Sequence, residues 1–295
     1  MKCVFTTNNT SPTIYPLLKA AINSLKANTS LEPVVVWSND HIADVNNMID
    51  QFRDTTKLVD HNGEANKMLY WLKEKNVPVI EHTLLFKDRI EHFNFKDAKY
   101  TNILLKYMYL HYPEYYNKNF IYTESLRMDI PMIFPTEKFV MYSDCDVIFL
   151  KDIENWEFRK PIAAVKRDGF FNNGIMIFNI PYMLECYATF VNFYCNSNYG
   201  FDVGNVTSQG AYNTFFKDST HKLPLDMNWH VFWDMNKEAK IAHFAGPKPI
   251  DYFNMWNRLN DYDMMFYTCG YSKNNVKYWI ERYNEYAEQN DRIKI

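Results

Sequence analysis

Val140-Met141-Tyr142-Ser143-Asp144-Cys145-Asp146-Val147-Ile148-Phe149-Leu150 places two carboxylates, one residue apart, between two apolar runs. Phe139 to Tyr142 and Val147 to Leu150 are β-branched, aromatic or aliphatic, the make-up of strands buried on both faces. Burying a carboxylate there without a partner is costly, so the two aspartates either reach solvent or share a cation. Asp offers the hard oxygen ligands that suit Mg²⁺ or Mn²⁺, ions commonly held by one or two carboxylates together with substrate phosphates. An exposed acidic turn accounts for the spacing equally well, because the motif is short. Cys145, small and soft, is expected to point back into the core rather than onto a hard metal.

The rest of the composition bounds this reading. With 295 residues, 47% hydrophobic and 23% charged, the chain can bury one large α/β core or two modest domains. A net charge of −3 without a Lys/Arg cluster gives no footprint for nucleic acid or an anionic membrane, so any phosphate is bound locally. Met1 to Thr7 runs straight into a strand-like segment, and nowhere do about 18 apolar residues follow one another. The expectation is a soluble, cytoplasmic protein with no membrane span. Five cysteines, at 3, 145, 186, 195 and 269, show no paired spacing and are expected to be reduced thiols.

In chain order, Cys3 to Thr7 reads as a strand, Asn8-Asn9-Thr10-Ser11-Pro12 as a polar loop, and Tyr15 to Ala27 as an amphipathic helix. A strand that ends in small polar residues at a helix N-terminus offers backbone N–H groups to an anion or a base edge. A plain βα turn reads the same way, and no Gly-rich or Walker sequence is present. Pro33 to Trp37 and Val77 to Ile80 are expected strands; His41 to Phe52, Lys67 to Lys75 and Tyr100 to His111 are expected helices. Residues 81–120 are charged and aromatic, and are expected to pack over one end of the sheet. Thr123 to Ile130 has a helix pattern, with Thr123 or Ser125 near the cap, Arg127 on it, and Pro131 and Pro135 ending it. Pro161 to Lys166, Gly174 to Asn179 and Ile241 to Phe244 complete the strands, and Tyr182 to Asn196, Ser208 to Phe216 and Asn274 to Glu288 the helices.

Arg127, then Asp144-Cys145-Asp146, then Phe171-Asn172-Asn173-Gly174-Ile175-Met176-Ile177-Phe178-Asn179, then Gln209 with Asn213, then His243-Phe244-Ala245-Gly246-Pro247-Lys248-Pro249 together resemble glycosyltransferase family 8. The resemblance covers most of the chain. It implies an α/β fold of the GT-A type, a Rossmann-like nucleotide-diphospho-sugar transferase with a mixed, mostly parallel central sheet flanked by helices. One domain is implied over 1–295, residues 1–150 forming a nucleotide-binding half and 151–295 an acceptor and metal-completing half. Asp144, Asp146 and His243 are the implied ligands of Mn²⁺ or Mg²⁺, which bridges the diphosphate of a UDP-sugar. An imidazole ligand favours Mn²⁺ over Mg²⁺. Gly246 is expected to let backbone approach phosphate and Lys248 to place a charge on it. Arg127, Asn172 and Asn173 are expected to address the sugar and its phosphate, whereas a surface ion pair of Arg127 with Asp129 or Glu124 is the plainer reading. Thr6, Thr7 and Asn8 match the segment that contacts uracil and ribose.

Two departures qualify the resemblance. Gln209, at the catalytic glutamine, sits between Ser208 and Gly210 where the family has acidic neighbours, and the closing motif is one residue shorter with Ile250 in place of tryptophan. The implied reaction is transfer from UDP-xylose, UDP-galactose or UDP-glucose to a glycan hydroxyl. Retention would use Gln209 near the anomeric carbon; inversion needs a general base, for which Asp168, Asp202, Asp226 and Asp251 are candidates. Trp229, Trp233, Tyr252 and Trp256 are a candidate acceptor platform. The abundance of Asn, Lys, Tyr and Phe also resembles glycosyltransferases of large DNA viruses of algae, which points to UDP-xylose. A non-catalytic nucleotide-sugar or glycan-binding module on the same fold is the competing expectation.

Overall fold

The computed structural model describes residues 1–9, 12–40, 61–93, 98–99, 118–154, 156–204, 207–246, 248–251 and 273–294. The expected helices over 41–52 and 100–111, together with Tyr252 and Trp256, lie outside them.

A seven-stranded sheet forms the centre, in the order β3-β2-β1-β4-β7-β6-β8. Its strands are β1 (Lys2–Asn8), β2 (Glu32–Ser38), β3 (Val79–Glu81), β4 (Phe139–Ser143), β6 (Ile162–Arg167), β7 (Phe170–Asn179) and β8 (Thr220–Leu223). β7 runs antiparallel to both of its neighbours, and the other adjacent pairs are parallel. The side-chain period of two divides β1: Val4 joins the core on one face, Cys3 and Phe5 the core on the other. Both faces are therefore covered, as an apolar parallel strand requires.

β5 (Val147–Phe149) leaves this sheet and pairs antiparallel with β10 (Ile241–His243), which pairs in parallel with β9 (Trp229–His230). The acidic turn is thus not a break within one strand. It is the crossing from the large sheet to a small one, so its polar groups sit where neither ladder needs them. β7 extends four residues before the expected start, because Asp168 and Gly169, at φ values of 53° and 89°, make a tight two-residue hairpin with β6.

Helix α1 (Tyr15–Asn28) carries a proline in its first turn and buries Leu18, Ala21, Ile22 and Leu25 against the sheet. α2 (His61–Glu74) begins ahead of the expected Lys67. α3 (Lys87–Glu91) and α4 (Lys118–Ser125) flank the first core with α5 (Ile130–Ile133), α6 (Ile180–Asn196) and α7 (Thr207–Phe215). α8 (Lys273–Tyr286) places Val276, Trp279, Ile280 and Tyr283 with Leu17 of α1, Ile148 and Ala242 in a third core.

The helix expected over 123–130 is corrected. Thr123 and Ser125 lie inside α4 and bond back to the carbonyls of Asn119 and Ile121, so neither caps it. A 3₁₀ turn, Leu126–Asp129, carries Arg127, and Pro131 lies in the first turn of α5 instead of ending a helix. Cys3, Cys145, Cys186 and Cys195 are free thiols. Among the described residues no helix is long and apolar enough to cross a membrane.

Candidate metal centre

The turn after β4 is held at both ends. Asp144 donates its N–H to the Gly174 carbonyl on β7 at 2.7 Å, and the Asp146 carbonyl accepts from Phe244 N–H, just beyond β10, at 2.9 Å. Between them Cys145 turns inward, its Sγ 3.7 Å from the Thr6 carbonyl, and burial pushes its thiol pKa well up. The β5–β10 register sets His243 opposite Val147, next in sequence to Asp146. One ligand atom from each of Asp144, Asp146 and His243 consequently falls within 4.8 Å of the others. His243 Nε2 stands 3.3 Å from Asp146 Oδ1 and 3.8 Å from Asp144 Oδ2.

This donor set fits a divalent ion. Two hard carboxylates and one imidazole suit Mn²⁺ or Mg²⁺. His243 Nδ1 lies 2.8 Å from Asn228 Oδ1, and Asn228 Nδ2 donates to Asn172 Oδ1 at 3.2 Å. With its amide so oriented, the Asn228 Oδ1 accepts a hydrogen bond from Nδ1–H, which leaves the Nε2 lone pair turned to the aspartates. Gly174 lines the same cradle: a Cβ there would stand 2.3 Å from His243 Cε1, 2.7 Å from Asp144 Oδ2 and 2.9 Å from Asn172 Oδ1. Only a residue without a side chain lets Asp144, Asp146 and His243 close together.

Two cations complete the electrostatics. The Lys248 ammonium pairs with Asp146 Oδ2 and donates to the Phe244 carbonyl at 3.1 Å. Burial works against the Asp146 charge, but the Lys248 ammonium beside it more than offsets this and holds the carboxyl well below its usual range. Burial likewise opposes the Lys248 charge, and Asp146 raises its pKa despite that. Arg127, 3% exposed, directs Nη2 to Glu124 Oε1 at 2.7 Å and to Asp144 Oδ1 at 3.3 Å, with Nη1 on the Asn173 carbonyl at 3.2 Å. Its guanidinium lies 4.5 Å from the Tyr142 ring centre. Burial would lower its pKa; Glu124, Tyr142 and Asp144 more than offset this and raise it. Arg127 is therefore a buried pillar of the site rather than a surface ion pair, and Asp129 bonds instead to His82 and Tyr187.

Gln209, at the start of α7, is brought to the same cluster: its Oε1 accepts from Asn172 Nδ2 at 3.0 Å. Asn173 packs on Ser208 Oγ at 2.8 Å. Thr6, Thr7 and Asn8 end β1 beside the acidic turn; the buried Thr7 Oγ1 has no hydrogen-bond partner among the described residues, and Asn8 Nδ2 donates to Thr123 Oγ1 at 2.6 Å. Gly246 adopts a φ of 90°, which favours glycine, and a Cβ on it would meet no protein atom within 4 Å among the described residues. Asp168 stands at the β6–β7 hairpin tip with its side chain 90% exposed. The Asp202 carboxylate accepts from Lys99 N–H and Asn198 Nδ2, both at 2.6 Å, in the loop after α6. Asp251 accepts from Lys248 N–H at 2.8 Å. Trp233 stacks 4.4 Å from the His230 ring and lies under the Arg167 guanidinium at 4.2 Å, while Trp229 meets it edge-on at 5.3 Å. The sequence reading left Asn228, Gly174 and Ser208 without roles. A glycine within a strand-like run was the available signal of close approach at Gly174.

No protein-family model and no curated protein sequence matches the chain. Solved structures do. GlyE, a glycosyltransferase of Streptococcus pneumoniae TIGR4, aligns with 97% of this chain and 65% of its own at 15% identity and a TM-score of 0.52. The galactosyltransferase LgtC, solved with donor and acceptor sugar analogs, aligns over 98% of this chain and 97% of its own at 14% identity and a TM-score of 0.52. The chain has the GT-A fold. Mouse xyloside xylosyltransferase 1 shares it over 84% of this chain and 99% of its own, at 13% identity and a TM-score of 0.50. The chain spans just under two thirds of the GlyE chain, so the likeness is to part of that protein. Within this GT-A sheet the Asp144–Asp146 turn follows the C-terminal end of β4, beside the C-terminal end of the parallel neighbour β1. Ligand sites of open α/β sheets gather at such strand ends.

Proposed function

We propose that the protein is a metal-dependent glycosyltransferase that moves a sugar from a UDP-sugar to a hydroxyl of a glycan acceptor. The observation that carries this reading is the closure of Asp144, Asp146 and His243 around the Gly174 cradle on a GT-A sheet. A divalent ion held there supplies Lewis-acid stabilisation of the charge that develops on the departing UDP. Lys248 adds a fixed charge for the diphosphate, and Arg127 a rigid fork beside the sugar phosphate. Thr6, Thr7 and Asn8 are the proposed uracil and ribose contacts, the orphaned Thr7 hydroxyl being a ready partner.

Gln209 is the proposed group beside the anomeric carbon, with Asn172 and Asn173 fixing its position. Asp168 and Asp202 are proposed as the carboxylates of an inverting route. Asp168 is the more available of the two, since both Asp202 oxygens are engaged. Transfer of neutral sugars such as glucose, galactose or xylose is in keeping with neighbours named for galactosyl and xylosyl transfer. The test is UDP release in Mn²⁺ from UDP-glucose, UDP-galactose and UDP-xylose, with and without acceptor glycans. Acceptor-stimulated release supports the enzyme; tight UDP-sugar binding without any release supports the binding module.

A further inference from the structure

A run of stacked side chains leads outward from the candidate metal centre and ends on a cation. The His230 ring stands edge-on to the His243 ring at 5.3 Å, and Trp233 stacks on His230 at 4.4 Å. The Arg167 guanidinium lies 4.2 Å from the Trp233 ring centre. Arg167 is the last residue of β6, at the base of the tight β6–β7 hairpin, and its side chain is 48% exposed. Stacking occupies the flat face of a guanidinium and leaves its in-plane N–H fork, whose geometry matches a carboxylate or a phosphate. Nε lies 3.5 Å from Asp168 Oδ2, an ion pair open to water from both partners and therefore weak. Among the described residues no carboxylate other than Asp168 pairs with this guanidinium.

We propose that Arg167 binds an anionic group of the acceptor, a carboxylate or a phosphate, so that the acceptor is an acidic glycan. This rests on the glycosyltransferase reading above. The sheet order separates the two substrates. β4, with the acidic turn after it, lies between β1, which ends in the proposed uracil and ribose contacts, and β7, which carries Asn172 and Asn173 for the donor sugar. β6 is one strand farther out, on the side away from the nucleoside. The donor diphosphate has its own partners in the ion and Lys248, and two rings stand between Arg167 and His243. The cation at the end of the stack is therefore left for the second substrate. Trp233 holds the guanidinium in place before anything binds, so an anion fixes little further side-chain freedom when it docks. Both N–H groups of a stacked fork can then engage one anion at once, the stronger form of a charge-assisted hydrogen bond.

The test is a ligand-observed NMR titration in UDP and Mg²⁺ with two matched pairs of probes: trigalacturonate against its methyl ester, and glucose 6-phosphate against glucose. The wild type should bind the charged member of one pair about tenfold tighter than its neutral counterpart, and which pair does so tells carboxylate from phosphate. Arg167→Gln should abolish that preference, and Arg167→Lys, which keeps the charge without the fork, should retain only part of it. UDP affinity, measured by calorimetry in Mg²⁺, should be the same in the wild type and Arg167→Gln. The absence of a preference for either charged probe overturns the inference, as does a preference that survives in Arg167→Gln. A loss of UDP affinity in Arg167→Gln overturns it too, because it marks a contact to the donor. Failure of the wild type to bind UDP overturns the UDP-sugar reading itself.

Discussion

Gly174→Ala adds one methyl group at the centre of the proposed metal site, and its consequence can be worked from distances. The new Cβ would stand 2.3 Å from His243 Cε1, where ordinary contact begins near 3.4 Å, so the imidazole must recede by about 1 Å. It cannot do so freely. Asn228 holds Nδ1 at 2.8 Å and the β5–β10 ladder holds the backbone, while Asp144 and Asn172 crowd the methyl from the other sides. Overpacking of this kind costs about 1–3 kcal/mol, more than the 0.4–1 kcal/mol or so that removing a glycine returns through the unfolded chain. The variant should therefore be modestly less stable in EDTA, by a degree that leaves it folded. Metal binding should suffer more, by roughly tenfold to a hundredfold, the scale of disturbing groups that orient metal ligands. Mn²⁺ titration in the presence of UDP, followed by electron paramagnetic resonance, measures the affinity, and thermal melting in EDTA measures the stability. Mn²⁺ affinity within twofold of the wild type would refute the assignment of Gly174 to the cradle.

Two further outcomes follow from the same geometry. Asn228→Ala removes the partner of His243 Nδ1 and should weaken Mn²⁺ by about tenfold to a hundredfold with little change in UDP affinity measured in EDTA. His230 is pulled down from 6.5 to about 3, first by burial and then by His243. The unfolded chain therefore takes up a proton near pH 6.5 that the native state refuses until far lower. Stability from this group is complete above pH 6.5 and falls below it, by about 2 kcal/mol at pH 5. Urea melts in EDTA at pH 7.5 and pH 5 should show that loss, and His230→Asn should remove it.

Most of the large sheet was legible because β1, β2 and β4 are short apolar runs whose neighbours are turn residues, and buried parallel strands have that pattern, whereas the edge strand β8, Thr-His-Lys-Leu, has no apolar run to announce it. The small sheet was not: Trp229 and His230 make a two-residue strand, too short for any periodicity, and only the pairing of β10 with β5 reveals it. Helix boundaries failed around 118–133 for a related reason. Thr123 and Ser125 look like caps in sequence, but back-bonding inside a helix uses the same hydroxyls. At the site, Asp144, Asp146 and His243 were readable as an ordered set of motifs, and the structure closes them together. Asn228 was not readable as a site residue, because its importance lies in which atom it orients, and that depends on contacts between distant elements. The pairing of Lys248 with Asp146 was not readable either, because it depends on the chain after β10 folding back beside the acidic turn.

The most direct test of the account is UDP binding with and without the ion. Calorimetry of the wild type with UDP in Mn²⁺, then in EDTA, and of Asp146→Ala in Mn²⁺, separates a metal-bridged diphosphate from any other mode of binding. Affinity should drop by at least about tenfold from its wild-type value in Mn²⁺ both in EDTA and in Asp146→Ala, since either change would remove the cation that the proposed site holds for the diphosphate. UDP affinity that is the same in all three measurements would contradict the account.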